Sequence, residues 1–157
     1  MAFVAANRIP RVLFVCTGNI CRSPTAEGVL RRLAELEKMN IHVESRGTHD
    51  YHVGEPPDDR AQHHAKRRGY DLSTQRARHF SKRDFEEFDL VLAMDRGHLR
   101  ILQRLCPPQH AGKVRLFLQE ADVPDPYYGG PEGFEQVLDL VEAACRGLLE
   151  EMRASTR

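Results

Sequence analysis

The chain has 157 residues, 41% of them apolar and 29% charged, with 23 basic side chains balancing 23 acidic ones. A folded chain of this size hides roughly 70% of the surface its unfolded form exposes, so one domain over residues 1–157 with its own core is expected, and the zero net charge excludes a global attraction to nucleic acid or to a membrane surface. No stretch approaches the ~20 apolar residues that cross a bilayer, and the Met1 to Arg11 segment lacks a signal-peptide pattern, so a cytoplasmic location is expected.

In chain order, Arg11-Val-Leu-Phe-Val-Cys16 is an apolar run of strand length. The pattern after it carries Ala26, Val29, Leu30, Leu33 and Leu36 at three- and four-residue spacings, which predicts an amphipathic helix. Ser23 stands where a side-chain N-cap belongs, with Pro24 at the first helical position and Glu27 near the positive end of the helix dipole. Ile41 to Arg46 reads as a second strand, completing a βαβ unit of the kind that crosses over right-handed and builds parallel sheets. Residues 48–57 are polar and hold Gly54, Pro56 and Pro57, a long loop; Asp58 or Asp59 then opens a helix to Arg68 that Gly69 closes.

A short helix from a serine cap at Ser81 to Phe88 follows, then a third strand, Asp89 to Met94, and a helix capped by Asp95 that stops before Cys106-Pro-Pro108. Lys113 to Leu118 is the fourth strand, and a loop rich in Pro and Gly leads into a long helix, Glu132 to Met152. Strands alternating with helices predict a doubly wound, three-layer α/β/α domain with a four-stranded parallel sheet and a ligand site at the carboxyl ends of its strands.

The loop after the first strand, Cys16-Thr-Gly-Asn-Ile-Cys-Arg-Ser23, lies where such folds bind anions. Gly18 and Asn19 tolerate unusual backbone angles, so successive N–H groups can turn inward as an anion nest, with the helix dipole behind them. The loop has neither the Walker ending nor the glycines of a dinucleotide fingerprint. It offers instead a cysteine at its start and an arginine six residues later. In a curled loop Arg22 can hold two phosphate oxygens while the same donors favour a thiolate at Cys16, a nucleophile aimed at phosphorus. Core packing is the plainer reading of a cysteine after a strand. Zinc on Cys16 and Cys21 would need two further ligands, for which Cys106 with His110, or His63 with His64, offer no recognisable pattern, so no metal or cofactor is called for.

Release of a phenol or alcohol from phosphorus calls for a proton donor. Val123-Pro-Asp-Pro-Tyr-Tyr-Gly-Gly130 is the best source: Pro126 biases Asp125 to an extended backbone, and two rings beside it offer an apolar wall to a carboxyl group and to a substrate ring. The same residues also suit a plain turn leading into the last helix.

Val12-Leu-Phe-Val-Cys-Thr-Gly-Asn-Ile-Cys-Arg-Ser-Pro-Thr-Ala-Glu27, with Asp125-Pro-Tyr-Tyr128 and Leu92-Ala-Met-Asp95, resembles the low-molecular-weight protein tyrosine phosphatases over essentially the whole chain. The resemblance implies a four-stranded parallel sheet flanked by helices, tyrosine-phosphorylated proteins as partners, and phosphate or another oxyanion in the loop formed by Thr17, Gly18, Asn19, Ile20 and Cys21. It further implies Cys16 as nucleophile, Arg22 as the phosphoryl-binding group and Asp125 as general acid. Asn19 and Ser23 would shape the loop and assist the thiolate, with Tyr127 and Tyr128 beside Asp125 and Tyr51 on the opposite wall. Two positions depart from the family's pattern: Gln75 stands where many relatives carry a His that supports the Asn and Ser of the loop, and Arg46 replaces a common alanine.

Two other chemistries are compatible with this fold. Protein-arginine phosphatases resemble the chain but tend to carry Thr at the place of Ile20 and lack the paired tyrosines. Thioredoxin-linked arsenate reductases need a further cysteine pair after the third strand, where this chain reads Ala93-Met-Asp-Arg-Gly-His98. Cys106 and Cys145 suit core packing, and Cys21 suits either a buried filler or a thiol that traps oxidised Cys16. Between Arg60 and Arg83 eight Lys or Arg face one acid, Asp71, which reads as a solvated face that attracts acidic phosphopeptides and not as a nucleic-acid site.

Overall fold

Parity along the first strand decides the architecture. In the computed structural model, which describes residues 8–155, β1 (Arg11–Cys16) runs through the middle of the sheet and its side chains alternate between two separate cores. Val12, Phe14 and Cys16 face the core built with α1 (Arg22–Leu36) and α5 (Pro131–Ser155). Leu13 and Val15 face the other, with Phe80, Phe85, Phe88 and Leu102. A strand apolar on both faces is what a doubly covered parallel sheet requires. Residues 1–7, on which part of the signal-peptide reading rests, lie outside the described residues.

The sheet has the order β2-β1-β3-β4, all parallel, with β2 (His42–Gly47), β3 (Leu90–Ala93) and β4 (Val114–Leu116). Helices α2 (Asp59–Arg67), α3 (Arg83–Glu87) and α4 (Arg96–Leu105) complete the layers, as the three-layer expectation requires. Chain order reverses beside β1, so its carboxyl end opens on the switch point where doubly wound folds bind ligands. Among the described residues no helix is long and apolar enough to cross a membrane.

Several boundaries differ from the sequence reading, each for a local reason. α1 starts at Arg22 with Cys21 at the cap position and no side-chain cap bond, because the Ser23 hydroxyl is turned to Cys16 and not to the helix's own N–H groups. α3 likewise lacks a serine cap: Lys82 holds the cap position, and Asp84 Oδ2 accepts the Ser81 N–H at 3.0 Å. β4 stops at Leu116 because the chain turns there, with Gln119 at φ 68° in the left-handed region, and Pro108–Lys113 before it forms a 3-10 turn. Asp58 and Asp95 cap α2 and α4 with their carboxylates.

Candidate active site

β1 delivers Cys16 to the sheet's carboxyl edge, and the chain then curls through residues 17–21 before α1 begins. The curl needs special backbone at two places. Asn19 sits at φ 59°, which an asparagine tolerates better than most residues. Gly47 of β2 passes so close that a Cβ there would lie 2.8 Å from the Thr17 carbonyl oxygen, so only glycine fits.

The scaffold grips the loop by its carbonyls. Thr48 N–H donates to the Cys16 oxygen at 2.8 Å, His49 N–H to the Thr17 oxygen at 3.0 Å, and Asp58 N–H to the Ile20 oxygen at 2.8 Å. The loop's own N–H groups stand at the positive end of the 15-residue α1, a combination suited to an anion.

Asn19 is the hub beneath the loop. Its Nδ2 donates to Ser23 Oγ and to Ser45 Oγ, each at 2.8 Å, and its Oδ1 accepts the Arg78 N–H at 2.9 Å. Ser45 in turn donates to Glu27 Oε1 at 2.7 Å, and Glu27 also takes Arg31. Gln75 has no part in this network: its Nε2 donates to the Pro24 carbonyl in the first turn of α1 at 3.0 Å. Support for Asn19 thus comes from Ser45, Glu27 and the Arg78 backbone. Arg46, the other departure, is buried beneath the sheet edge, where it pairs with Glu44 at 2.7 Å and approaches Asp84 at 3.6 Å.

Cys16 Sγ lies 2.9 Å from Ser23 Oγ. Arg22 is buried, with Nη1 donating to Asp95 Oδ2 at 2.8 Å and to the Val123 carbonyl at 3.0 Å; its Nη2 lies 3.7 Å from Asp125 Oδ2. Asp125 is fixed by the Tyr127 N–H, which donates to its Oδ1 at 3.0 Å, but its side chain remains 47% exposed. The expected apolar wall does not enclose that carboxylate, since Tyr128 is 91% exposed and stands with Tyr127 edge-on at 4.9 Å.

These groups meet in one cavity of about 210 Å³, lined by Cys16, Thr17, Gly18, Ile20, Cys21, Arg22, Tyr51, His52, Asp125, Tyr127 and Tyr128. Tyr51 stacks on His49 at 5.0 Å, and the rim of the cavity is thus aromatic. Burial, helped by the neighbouring Asp58, Cys16 and Asp125, pushes the Cys21 thiol up, so it stays protonated. Burial acts the same way on Asp95, but the hydrogen bonds from the His98 N–H and Arg22 outweigh it and hold the carboxyl below its ordinary range. Sequence reasoning read Asp95 as a helix cap, as part of the Leu92–Asp95 segment of the resemblance and as the carboxylate to rival Asp125, but not as the partner of Arg22, and it missed His98 and His52.

The profile of the family described as low molecular weight phosphotyrosine protein phosphatase matches residues 11–157. The chain belongs to that family. Among its relatives is a low molecular weight protein-tyrosine-phosphatase of Streptomyces coelicolor, 47% identical over 154 residues that cover 91% of this chain and 93% of the relative. A protein tyrosine phosphatase from Entamoeba histolytica with Hepes in its active site superposes at a TM-score of 0.90, with 35% identity, covering 94% of this chain and 99% of the other. Vibrio vulnificus Wzb in complex with benzylphosphonate follows at 0.83 and 32% identity, covering 92% and 99%. Family membership makes this chain a hydrolase of phosphate monoesters.

Proposed function

We propose that the chain, acting as one catalytic domain, hydrolyses phosphotyrosine in proteins, and aryl phosphates generally, through a phosphocysteine intermediate. The observation that carries this reading is the convergence of Cys16, the buried Arg22 and Asp125 on one cavity at the amino end of α1. Cys16 Sγ attacks phosphorus in line, so that an S–P bond forms as the ester P–O bond breaks. Arg22 and the loop N–H groups take up the charge on the equatorial oxygens, and Asp125 gives its proton to the departing phenolate. Water then attacks the phosphocysteine, Asp125 takes its proton, and the S–P bond breaks to release phosphate and the thiolate. Every group in that sequence belongs to the chain, the substrate or water.

The aromatic rim suits a phenyl ring, and the benzylphosphonate in the Wzb complex joins a phosphorus oxyanion to such a ring through one methylene. Free thiols at all four cysteines accord with a cytoplasmic location. The experiment is a side-by-side comparison of turnover on an aryl phosphate, a phosphotyrosine peptide, a phosphoarginine peptide and arsenate. Preference for the first two is expected; preference for phosphoarginine or thiol-dependent arsenate reduction overturns the reading.

A further inference from the structure

The hydrolysis scheme leaves the buried His98, beside the anion loop, without a task. His98 lies in the first turn of α4 and is 4% exposed. Its Nε2 is 2.7 Å from Thr17 Oγ1, and Thr17 is the residue directly after the nucleophile. Its backbone N–H donates to Asp95 Oδ1 at 2.9 Å, and Asp95 Oδ2 receives Arg22 Nη1 at 2.8 Å. Both ends of the anion loop, Thr17 and Arg22, are therefore fastened to the same helical turn.

The direction of the Thr17 bond follows from charge. His98 Nδ1 sits 3.1 Å from Asp95 Oδ1, at an angle too poor for a well-formed hydrogen bond. A bare lone pair there would face a carboxylate oxygen, so the ring proton belongs on Nδ1 and Nε2 accepts from the Thr17 hydroxyl. The titratable and charged groups facing the ring are Asp95, Arg22, Asp125 and His49. Burial, reinforced by Arg22 and His49, outweighs the two carboxylates and brings the imidazole down to about 4, so the ring is neutral at physiological pH.

We infer that His98 is a positioning residue for this phosphatase: by accepting the Thr17 hydroxyl while Asp95 holds Arg22, it keeps the two ends of the anion loop in register around the phosphoryl group. The inference rests on the phosphatase reading of the same cavity. A histidine that only filled space would affect stability and leave anion binding alone.

The test is a double-mutant cycle on His98→Ala and Thr17→Val, with Thr17→Ser as the conservative change, reading kcat, KM and the affinity for inorganic phosphate. Each single change is expected to lower kcat and weaken phosphate by about tenfold, the scale of one net hydrogen bond. The double variant is expected to be no worse than either single one, because both remove the same bond. Thr17→Ser should recover most of the loss. Losses that multiply in the double variant, or a Thr17→Val protein that binds phosphate like wild type, overturn the assignment. Thr17→Val is nearly isosteric and carries the test alone should His98→Ala not fold. Phosphate affinity reads the loop whether or not aryl phosphates are turned over. A wild-type protein that binds phosphate but turns none over therefore defeats the phosphatase reading and not this one.

Discussion

The Cys16 sulfur and the Ser23 hydroxyl face each other at 2.9 Å, and Asn19 already donates to that hydroxyl oxygen. With its acceptor side occupied, Ser23 is oriented to give its proton to sulfur; the Arg46 carbonyl, its other acceptor, is 3.5 Å away. A hydroxyl donating to sulfur stabilises a thiolate both before attack and as it leaves phosphorus.

Ser23→Ala should therefore lower kcat by roughly 10- to 100-fold, the worth of a hydrogen bond to a charged partner, with a smaller change in KM. Rapid-quench kinetics on an aryl phosphate measure this. A kcat equal to wild type would show that the contact is packing only.

Asp125→Asn should slow poor leaving groups by about 10²- to 10⁴-fold while leaving strongly acidic phenols much less affected, since a good leaving group needs no proton. A leaving-group series on substituted phenyl phosphates measures it. A uniform loss across the series would remove the acid role, and Asp95, which holds Arg22 at 2.8 Å, would be the next carboxylate to test.

His98 also sets a pH dependence of stability. Its folded value of about 4 lies below the ordinary 6.5, so the unfolded chain binds a proton that the native ring refuses. Stability should fall on acidification from pH 6.5 towards 4, by about 3 kcal/mol from this group, and His98→Gln should flatten that fall. Urea denaturation at stepped pH measures it. Parallel curves for the two proteins would contradict the buried neutral ring.

Peroxide should inactivate the enzyme by oxidising Cys16, and Cys21, a protonated thiol in the same cavity, is placed to trap the sulfenic acid as a disulfide. Dithiothreitol should restore wild type, Cys21→Ser should recover poorly, and phosphate should protect both. Peptide mapping that found the bridge on Cys106 or Cys145 would refute the role given to Cys21.

What the sequence revealed and what it concealed divide along chain distance. β1 as a strand, the loop after it and the place of Asp125 before the last helix were legible because each rests on neighbouring residues: an apolar run, spacing, a proline beside an acid. The start of α1 was misplaced because Ser23 followed by Pro24 has the form of a cap, whereas tertiary contact turns the hydroxyl to Cys16. The clamp of His98 on Thr17 joins residues 81 positions apart, and no local pattern announces it. For the same reason position 75 told only that the family's His is missing, whereas the support of Asn19 comes from Ser45 and Arg78, which reach it only once β2 lies beside β1.

The covalent route through Cys16 is tested most directly by trapping the intermediate. Mixing Asp125→Asn, in which hydrolysis of the phosphocysteine lacks its base, with the phosphate ester of a strongly acidic phenol, whose departure needs no proton, and quenching in acid should yield a phosphoryl group on the peptide that carries Cys16. Cys16→Ser should give neither adduct nor turnover while still binding phosphate. Turnover that persists in Cys16→Ser, or a phosphoryl group mapped to any other residue, would contradict the mechanism.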